Sequence, residues 1–221
     1  MDGTTLLISA HNHHSVFDFM ERVEVLPDHD PLYIETERLI LRRLTMDDAE
    51  VMFALDSDPI VMKYIGVPPH ISIDQNVYYI NRVLKQYAEF GCGRLAVVEK
   101  CTGECIGWGG VKFDTEGENG LKNHYDIGYR LLPNSWGKGL GTEVAKASLR
   151  HGFEVLKAPY IVGFAFEDNV ASCRILEKIG LQKKGKYLCD GVPCVWYEIS
   201  SEQYLLARDP SNTTGQTTSS M

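Results

Sequence analysis

Residues 134–143 read NSWGKGLGTE, with Gly137, Gly139 and Gly141 two apart and directly ahead of a helical pattern. Ala145, Leu149, Phe153 and Leu156 carry that pattern by their spacing. Just upstream, HYDIGYRLL (residues 124–132) alternates as a strand, with Tyr125, Ile127, Tyr129 and Leu131 on one face. A strand, a glycine-rich turn and a helix make an anion site by construction. The first helical N–H groups have no acceptor within the helix, and the helix dipole adds partial positive charge. Glycine admits unusual φ values and lets a phosphate approach the backbone, while Lys138 supplies a cation nearby. A nucleoside-triphosphate loop fits poorly, because it ends in Gly-Lys-Ser/Thr and here Thr142 follows Gly141. A dinucleotide fingerprint needs its third glycine one place later and opens on a buried parallel strand, not an alternating one. A plain helix start with flexible glycines remains open at this point.

Working outward, the other elements announce themselves by caps and periods. RLILRRL (38–44) alternates as a strand, and Thr45 with Asp48 forms a capping box. Asp58-Pro59 reads as a cap followed by proline at the first helical position. Ser72 with Gln75 caps a helix that carries Ile80, Val83, Leu84 and Tyr87 on one face and ends at Gly91. RLAVVEK and CIGWGGVKF form strands around the turn TGE, and YIVGFAF (160–166) is a further strand. Asp168-Asn169 caps a helix with Ile175, Leu176 and Ile179 inward, closed by Gly180 and Leu181. Two strands around DGVP complete the order β-α-α-α-β-β-β-α-β-α-β-β, one mixed α/β domain without an internal repeat.

The totals narrow the partners. A chain of 221 residues that is 44% hydrophobic and 24% charged is expected to bury one proper core. A net charge of −8 argues against nucleic acid and anionic membrane, and fits a cationic ligand. The start, MDGTTLLISAHNHH, lacks a basic n-region, and no run approaches the length of a membrane span. Cys101 and Cys105 bracket one turn and Cys189 and Cys194 another, without the tight pairs zinc prefers. Reduced thiols and a cytoplasmic location are the expectation. The tract His11, His13, His14 reads as incidental to the domain, so no metal site is expected.

With these pieces in place, the loop resembles the acetyl-CoA-binding motif of the GNAT superfamily of N-acetyltransferases, Arg/Gln-x-x-Gly-x-Gly/Ala. Gly139 and Gly141 fall on its glycines, and Trp136 stands at its first position, a departure from the consensus. WGKG after GYRLLP is similar to the branch containing ribosomal-protein N-terminal acetyltransferases. ETERLILRRLTMDDAEVMF, DPIVMKYIG, IGWGGV and DNVASCRILEKIGL match that branch in order and spacing, from about Glu35 to Tyr204. The resemblance implies a mixed, mostly antiparallel sheet flanked by helices and splayed into a V between strands 125–132 and 160–166. It places the pantetheine arm of acetyl-CoA against backbone groups of Tyr129 and Leu131. The pyrophosphate then falls to Trp136, Gly137, Lys138, Gly139, Leu140, Gly141 and Thr142. Asn169 is implied at the pantetheine, although it reads equally as a helix cap, and Arg174 at the nucleotide end. The domain organisation expected is an extension over 1–34, the acetyltransferase domain over 35–208 and a disordered polar tail over 209–221.

Acetyl transfer to an amine sets three tasks. The amine, with a reference pKa of about 10, sheds a proton, the carbonyl oxygen is stabilised as it gains charge, and the thiolate benefits from a proton. By resemblance Asp126, in the strand motif acidic-Ile-Gly-Tyr, is the candidate base acting through water. Many superfamily members carry a tyrosine before Glu-Lys of the last helix; Leu176 stands there, which leaves Ser172 as the candidate acid. Cys173 is not expected to be acylated, since the family transfers directly in a ternary complex. Trp108, Tyr187 and Tyr64 read as core or as walls for the acceptor, either a protein N-terminal amine or a small-molecule amine. The alternative is a non-catalytic acyl-CoA-binding regulatory module of the same fold, with a dinucleotide-dependent oxidoreductase as a third reading.

Overall fold

A computed structural model describes residues 30–208. The chain divides into two units, Met1–Asp30 and Pro31–Met221, and all the helices and strands given below belong to the second. The histidine tract and the Ser/Thr-rich tail lie outside the described residues. In chain order the elements are β1 (Ile34–Glu35), β2 (Leu39–Arg42), α1 (Ala49–Asp56), α2 (Pro59–Met62), α3 (Ile73–Phe90), β3 (Leu95–Glu99), β4 (Cys105–Asp114), β5 (His124–Leu131) and α4 (Leu140–Glu154). They continue with β6 (Tyr160–Phe166), α5 (Val170–Lys178), β7 (Gln182–Cys189), β8 (Val192–Ser200) and α6 (Ser201–Arg208).

The described strands form one sheet in the order β1-β2-β3-β4-β5-β6-β8-β7, antiparallel throughout except between β5 and β6. That exception creates the V. β5 and β6 pair only at Tyr125↔Ile161 and Asp126↔Val162, and from Ile127 onward they diverge. On its other edge β5 is fully paired with β4, from Asp114↔His124 to Gly107↔Leu131. The close approach of β4 demands glycine at 107. Its φ is 143°, and an added Cβ would fall 2.2 Å from the Arg130 carbonyl oxygen.

The caps act as their residue types dictate. Ser72 Oγ accepts from the Asp74 N–H at 3.2 Å while Gln75 Oε1 accepts from the Ser72 N–H at 3.3 Å, and Gly91 ends α3 in the left-handed conformation at φ 65°. Asp58 Oδ1 accepts from the Ile60 N–H at 2.8 Å to start α2 behind Pro59. One apolar cluster joins β2, β3, α1 and α3 through Leu41, Met52, Leu55, Ile80 and Val97. A second joins α4, β6, α5 and β8 through Leu149, Ile161, Leu176 and Tyr197, and Tyr129 packs against both. Two features depart from the sequence reading. The core reaches back to buried Leu32 and Ile34, ahead of residue 35. The fold also closes with α6, started by Ser200 and Gln203 in a reciprocal cap: Ser200 N–H to Gln203 Oε1 at 2.9 Å, Gln203 N–H to Ser200 Oγ at 3.1 Å. No helix among the described residues is long and apolar enough to cross a membrane.

Candidate active site

The glycine loop ends where α4 begins. Gly139 is the residue ahead of the helix, at φ 78°, and Gly137 before it lies at φ 73°. No side chain caps this end, so the first N–H groups, over Leu140, Gly141 and Thr142, are the donors that a helix of this kind leaves for a ligand. Gly141 is small for a second reason: a Cβ there would stand 3.3 Å from Ile175 of α5. The loop is tied to the distant β1–β2 turn. Glu143 Oε1 accepts from Thr36 Oγ1 at 2.7 Å and from the Arg38 N–H at 2.9 Å, while Arg38 Nε donates to Glu143 Oε2 at 2.7 Å. Arg38 Nη1 also donates to the Lys138 carbonyl at 2.9 Å. Burial raises the Glu143 carboxyl, but the bonds from Thr36 and Arg38 outweigh it and the net shift is below the ordinary glutamate range. Arg38 and Glu143 thus brace the glycine loop, and a motif centred on glycines does not name them. Their signal is the ERL triplet ahead of β2.

At the V, backbone parity decides which groups are exposed. The Leu132 N–H donates to the Ile106 carbonyl at 2.9 Å, so even-numbered residues of β5 bond to β4. Ile127, Tyr129 and Leu131 therefore turn their N–H and C=O groups toward the gap, the edge expected for the pantetheine arm. One of these groups is already engaged, since Trp136 Nε1 donates to the Leu131 carbonyl at 2.7 Å. Across the gap Asn169 Oδ1 accepts from the Ser172 N–H at 3.2 Å and caps α5. The Tyr129 hydroxyl reaches Ser172, 3.2 Å from its Oγ and 3.3 Å from its carbonyl oxygen. Burial pushes that hydroxyl above the usual tyrosine range against the smaller opposite effect of Ser172, so it holds its proton at neutral pH. Arg174 is exposed on α5.

The opposite face of the sheet is polar under a helical roof. Asp126 and Arg94 are 4% and 6% exposed and form an ion pair; Arg94 Nη1 also donates to the carbonyls of Gly110 (2.6 Å) and Asp126 (2.7 Å). This guanidinium lies over Gly128, where a Cβ would stand 2.7 Å from Arg94 Nη2. Arg130 pairs with Asp56 of α1, whose Oδ2 accepts from Asn76 Nδ2 of α3 at 2.8 Å. Asn76 Oδ1 in turn accepts from His70 Nδ1 at 2.8 Å. Arg94 and Arg130 both pack over the Trp108 ring, at 5.4 and 5.0 Å from its centroid. Trp108 is thus core and electrostatic filler at once. Asp126 therefore sits beside the crotch of the V with Oδ2 committed to Arg94, a partner 32 residues away that no motif around Asp126 names.

A model of the acetyltransferase (GNAT) domain matches residues 38–182. The chain belongs to the GNAT acetyltransferases. YoaA of Bacillus subtilis (strain 168), described as an uncharacterized N-acetyltransferase, is 36% identical over 155 residues, 69% of this chain and 84% of its own length. A GNAT-family acetyltransferase from Bacillus anthracis superposes with a TM-score of 0.65 at 25% identity, over 77% of this chain and 99% of that one. A spermidine N-acetyltransferase from Vibrio cholerae, solved with CoA and spermine, shares the fold with a TM-score of 0.63 at 19% identity, over 77% of this chain and 99% of its own. This GNAT chain is an N-acetyltransferase dependent on acetyl-CoA, and its residues fit that donor. The uncapped start of α4 suits a pyrophosphate, and the unpaired edge of β5 suits the amides of a pantetheine arm. Among the described residues no group of His, Cys, Asp or Glu is placed to hold a metal.

Proposed function

We propose that this GNAT enzyme moves the acetyl group of acetyl-CoA to a primary amine by direct attack in a ternary complex. The observation that carries the reading is the split of β5 from β6 immediately after Asp126↔Val162, which opens the sheet between the coenzyme loop and the polar face. A thioester and an amine entering from opposite sides meet there, and orientation alone lowers such a barrier. Trp136, Gly137, Lys138, Gly139, Leu140, Gly141 and Thr142 hold the pyrophosphate, with Arg38 bracing the loop. Tyr129 and Leu131 bind the pantetheine arm through N–H groups, Asn169 flanks it, and Arg174 faces the nucleotide end. Asp126 receives the amine proton through water, and Arg94 holds that carboxylate in place. The departing thiolate takes a proton from the Tyr129–Ser172 pair, which stands in for the tyrosine that Leu176 replaces.

For the acceptor, the motif resemblance favours a protein N-terminal α-amine. The net charge of −8 and the spermine seen in the Vibrio cholerae structure favour a small cationic amine equally well. All six cysteines are free thiols, in keeping with a reducing cytoplasm. Calorimetric titration of acetyl-CoA, followed by thiol release with spermidine and with an Ala- or Ser-initiated peptide, tests the reading. Micromolar binding and thiol release with either amine are expected. No binding would sink the proposal, and binding without thiol release for any amine would return the non-catalytic module. Asp126→Asn is expected to lower turnover at neutral pH by about 10²-fold with acetyl-CoA affinity unchanged.

A further inference from the structure

Across the sheet from Asp126 stands a second carboxylate on the same face. Asp126 is in register with Val162, and Val162 with Glu198, so the three form one row over β5, β6 and β8. Two strand spacings of about 4.8 Å separate the outer two. The two acids differ in what surrounds them. Asp126 is buried and bound to Arg94, with Lys112 3.9 Å away. Glu198 is half-buried, and among the described residues no cation lies within ion-pair distance of it. Its Oε1 accepts from Trp196 Nε1 at 2.7 Å, which leans the carboxylate toward the next row, where the V is open.

That next row is aromatic. Phe164 and Trp196 lie nearly parallel at 6.1 Å, and Tyr187 meets Trp196 edge-on at 5.7 Å. Glu198 and Trp196 line an open hollow of about 480 Å³ together with Asn119, Gly120, Leu121 and the β7 segment Lys184–Lys186. Behind Trp196, at 6.0 Å, lies His124, 2% exposed, with neither ring nitrogen partnered among the described residues, while the Tyr187 hydroxyl faces the Glu118 carboxylate. Of the cations on the rim, Lys186 is paired with Glu167 and Lys184 is exposed.

We infer that Glu198, braced by Trp196, is a specificity-determining residue that binds a second cationic group of the acceptor, so the preferred substrate is an amine carrying another positive charge a few methylenes away. The inference rests on the acetyltransferase reading and deepens it. The reacting amine sits at the crotch, beside Asp126 and Phe164, and the spacer lies along the rings of Phe164 and Trp196. The distal ammonium meets Glu198 in the hollow and gives this carboxylate a counter-charge.

Three acceptors with the same reacting end and four-carbon chain test it: butylamine, 1,4-diaminobutane and 4-aminobutyrate. The wild type is expected to favour the diamine over butylamine by about tenfold or more in kcat/KM, the worth of one charge-assisted hydrogen bond, chiefly through KM. Glu198→Gln should erase that preference, chiefly by raising the KM for the diamine, with acetyl-CoA affinity unchanged. Equal use of all three, a preference for 4-aminobutyrate drawn in by Lys184 and Lys186, or a diamine preference that survives Glu198→Gln would each overturn the inference. Should no amine be acetylated, the enzymatic reading fails separately. Calorimetric binding of the diamine to the CoA-loaded protein then decides this one: Glu198-dependent binding sustains it, and absent or Glu198-independent binding overturns it.

Discussion

The proposed coenzyme side and the proposed acceptor side of this sheet both rest on an arginine–carboxylate pair, and the two pairs live in different solvents. On the coenzyme side, Arg38 and Glu143 have side chains 45% and 17% exposed. On the acceptor side, Arg94 and Asp126 are 8% and 6% exposed. Exposed pairs contribute little to stability because water screens them, whereas breaking a buried pair strands a charge away from water. Nearly the same chemistry therefore acts as a clamp on a loop in one place and as a keystone under a helical roof in the other. The clamp can be altered cheaply for function, and the keystone cannot.

The largest expected effect comes from the keystone. Arg94→Ala leaves Asp126 buried without its partner and should cost about 3–5 kcal/mol, read as a fall in the denaturation midpoint. An Arg94→Met, Asp126→Leu double variant should recover most of that loss while remaining slow in turnover. If the double variant is no more stable than Arg94→Ala, the contrast between the two pairs is wrong. Next in size is the proposed proton source. Tyr129→Phe and Ser172→Ala should each lower kcat by about 10–100-fold without weakening acetyl-CoA binding. A full-rate Tyr129→Phe enzyme removes the pair from that role.

Arg38→Ala should raise the KM for acetyl-CoA several-fold and change stability by less than about 1 kcal/mol. A loss as large as that of Arg94→Ala would erase the distinction drawn above. The smallest effect is a pH dependence of the fold. His151 Nε2 donates to the Pro31 carbonyl at 2.5 Å, yet burial dominates and lowers its pKa below 6.5. A group whose folded pKa is depressed adds stability that is complete above its unfolded value and is lost as pH falls. The midpoint should thus decline from pH 7 to pH 5.5 in the wild type and decline less in His151→Gln. Equal slopes would assign the decline to other groups.

The sequence marked the glycine loop, the caps and β5 well because their determinants are local. Glycines at 137, 139 and 141, the caps at Asp58, Ser72 and Asn169, and the alternation of 124–132 each act within a few residues of chain. Only α6 escaped among the helices, since it lacks strong periodicity; its cap, Ser200 with Gln203, was the available sign. The acceptor side was not legible in that way. Asp126 could be picked from its strand motif, but Arg94 lies 32 residues earlier and is brought to it only by the β3–β4–β5 pairing. Asp56 and Arg130 are 74 residues apart, and nothing in either segment names the other. The Asp126–Val162–Glu198 row exists only because β8 inserts between β6 and β7.

By itself, then, the sequence determined the class of fold, the glycine turn ahead of α4 and the family of the enzyme, because caps, glycine conformations and strand alternation are short-range steric and hydrogen-bonding facts. Which charges are paired, which are buried and which carboxylate still lacks a counter-ion was decided by the tertiary structure alone. Charge pairing depends on distances across the sheet and on exclusion of water, and neither is encoded in any one stretch of chain.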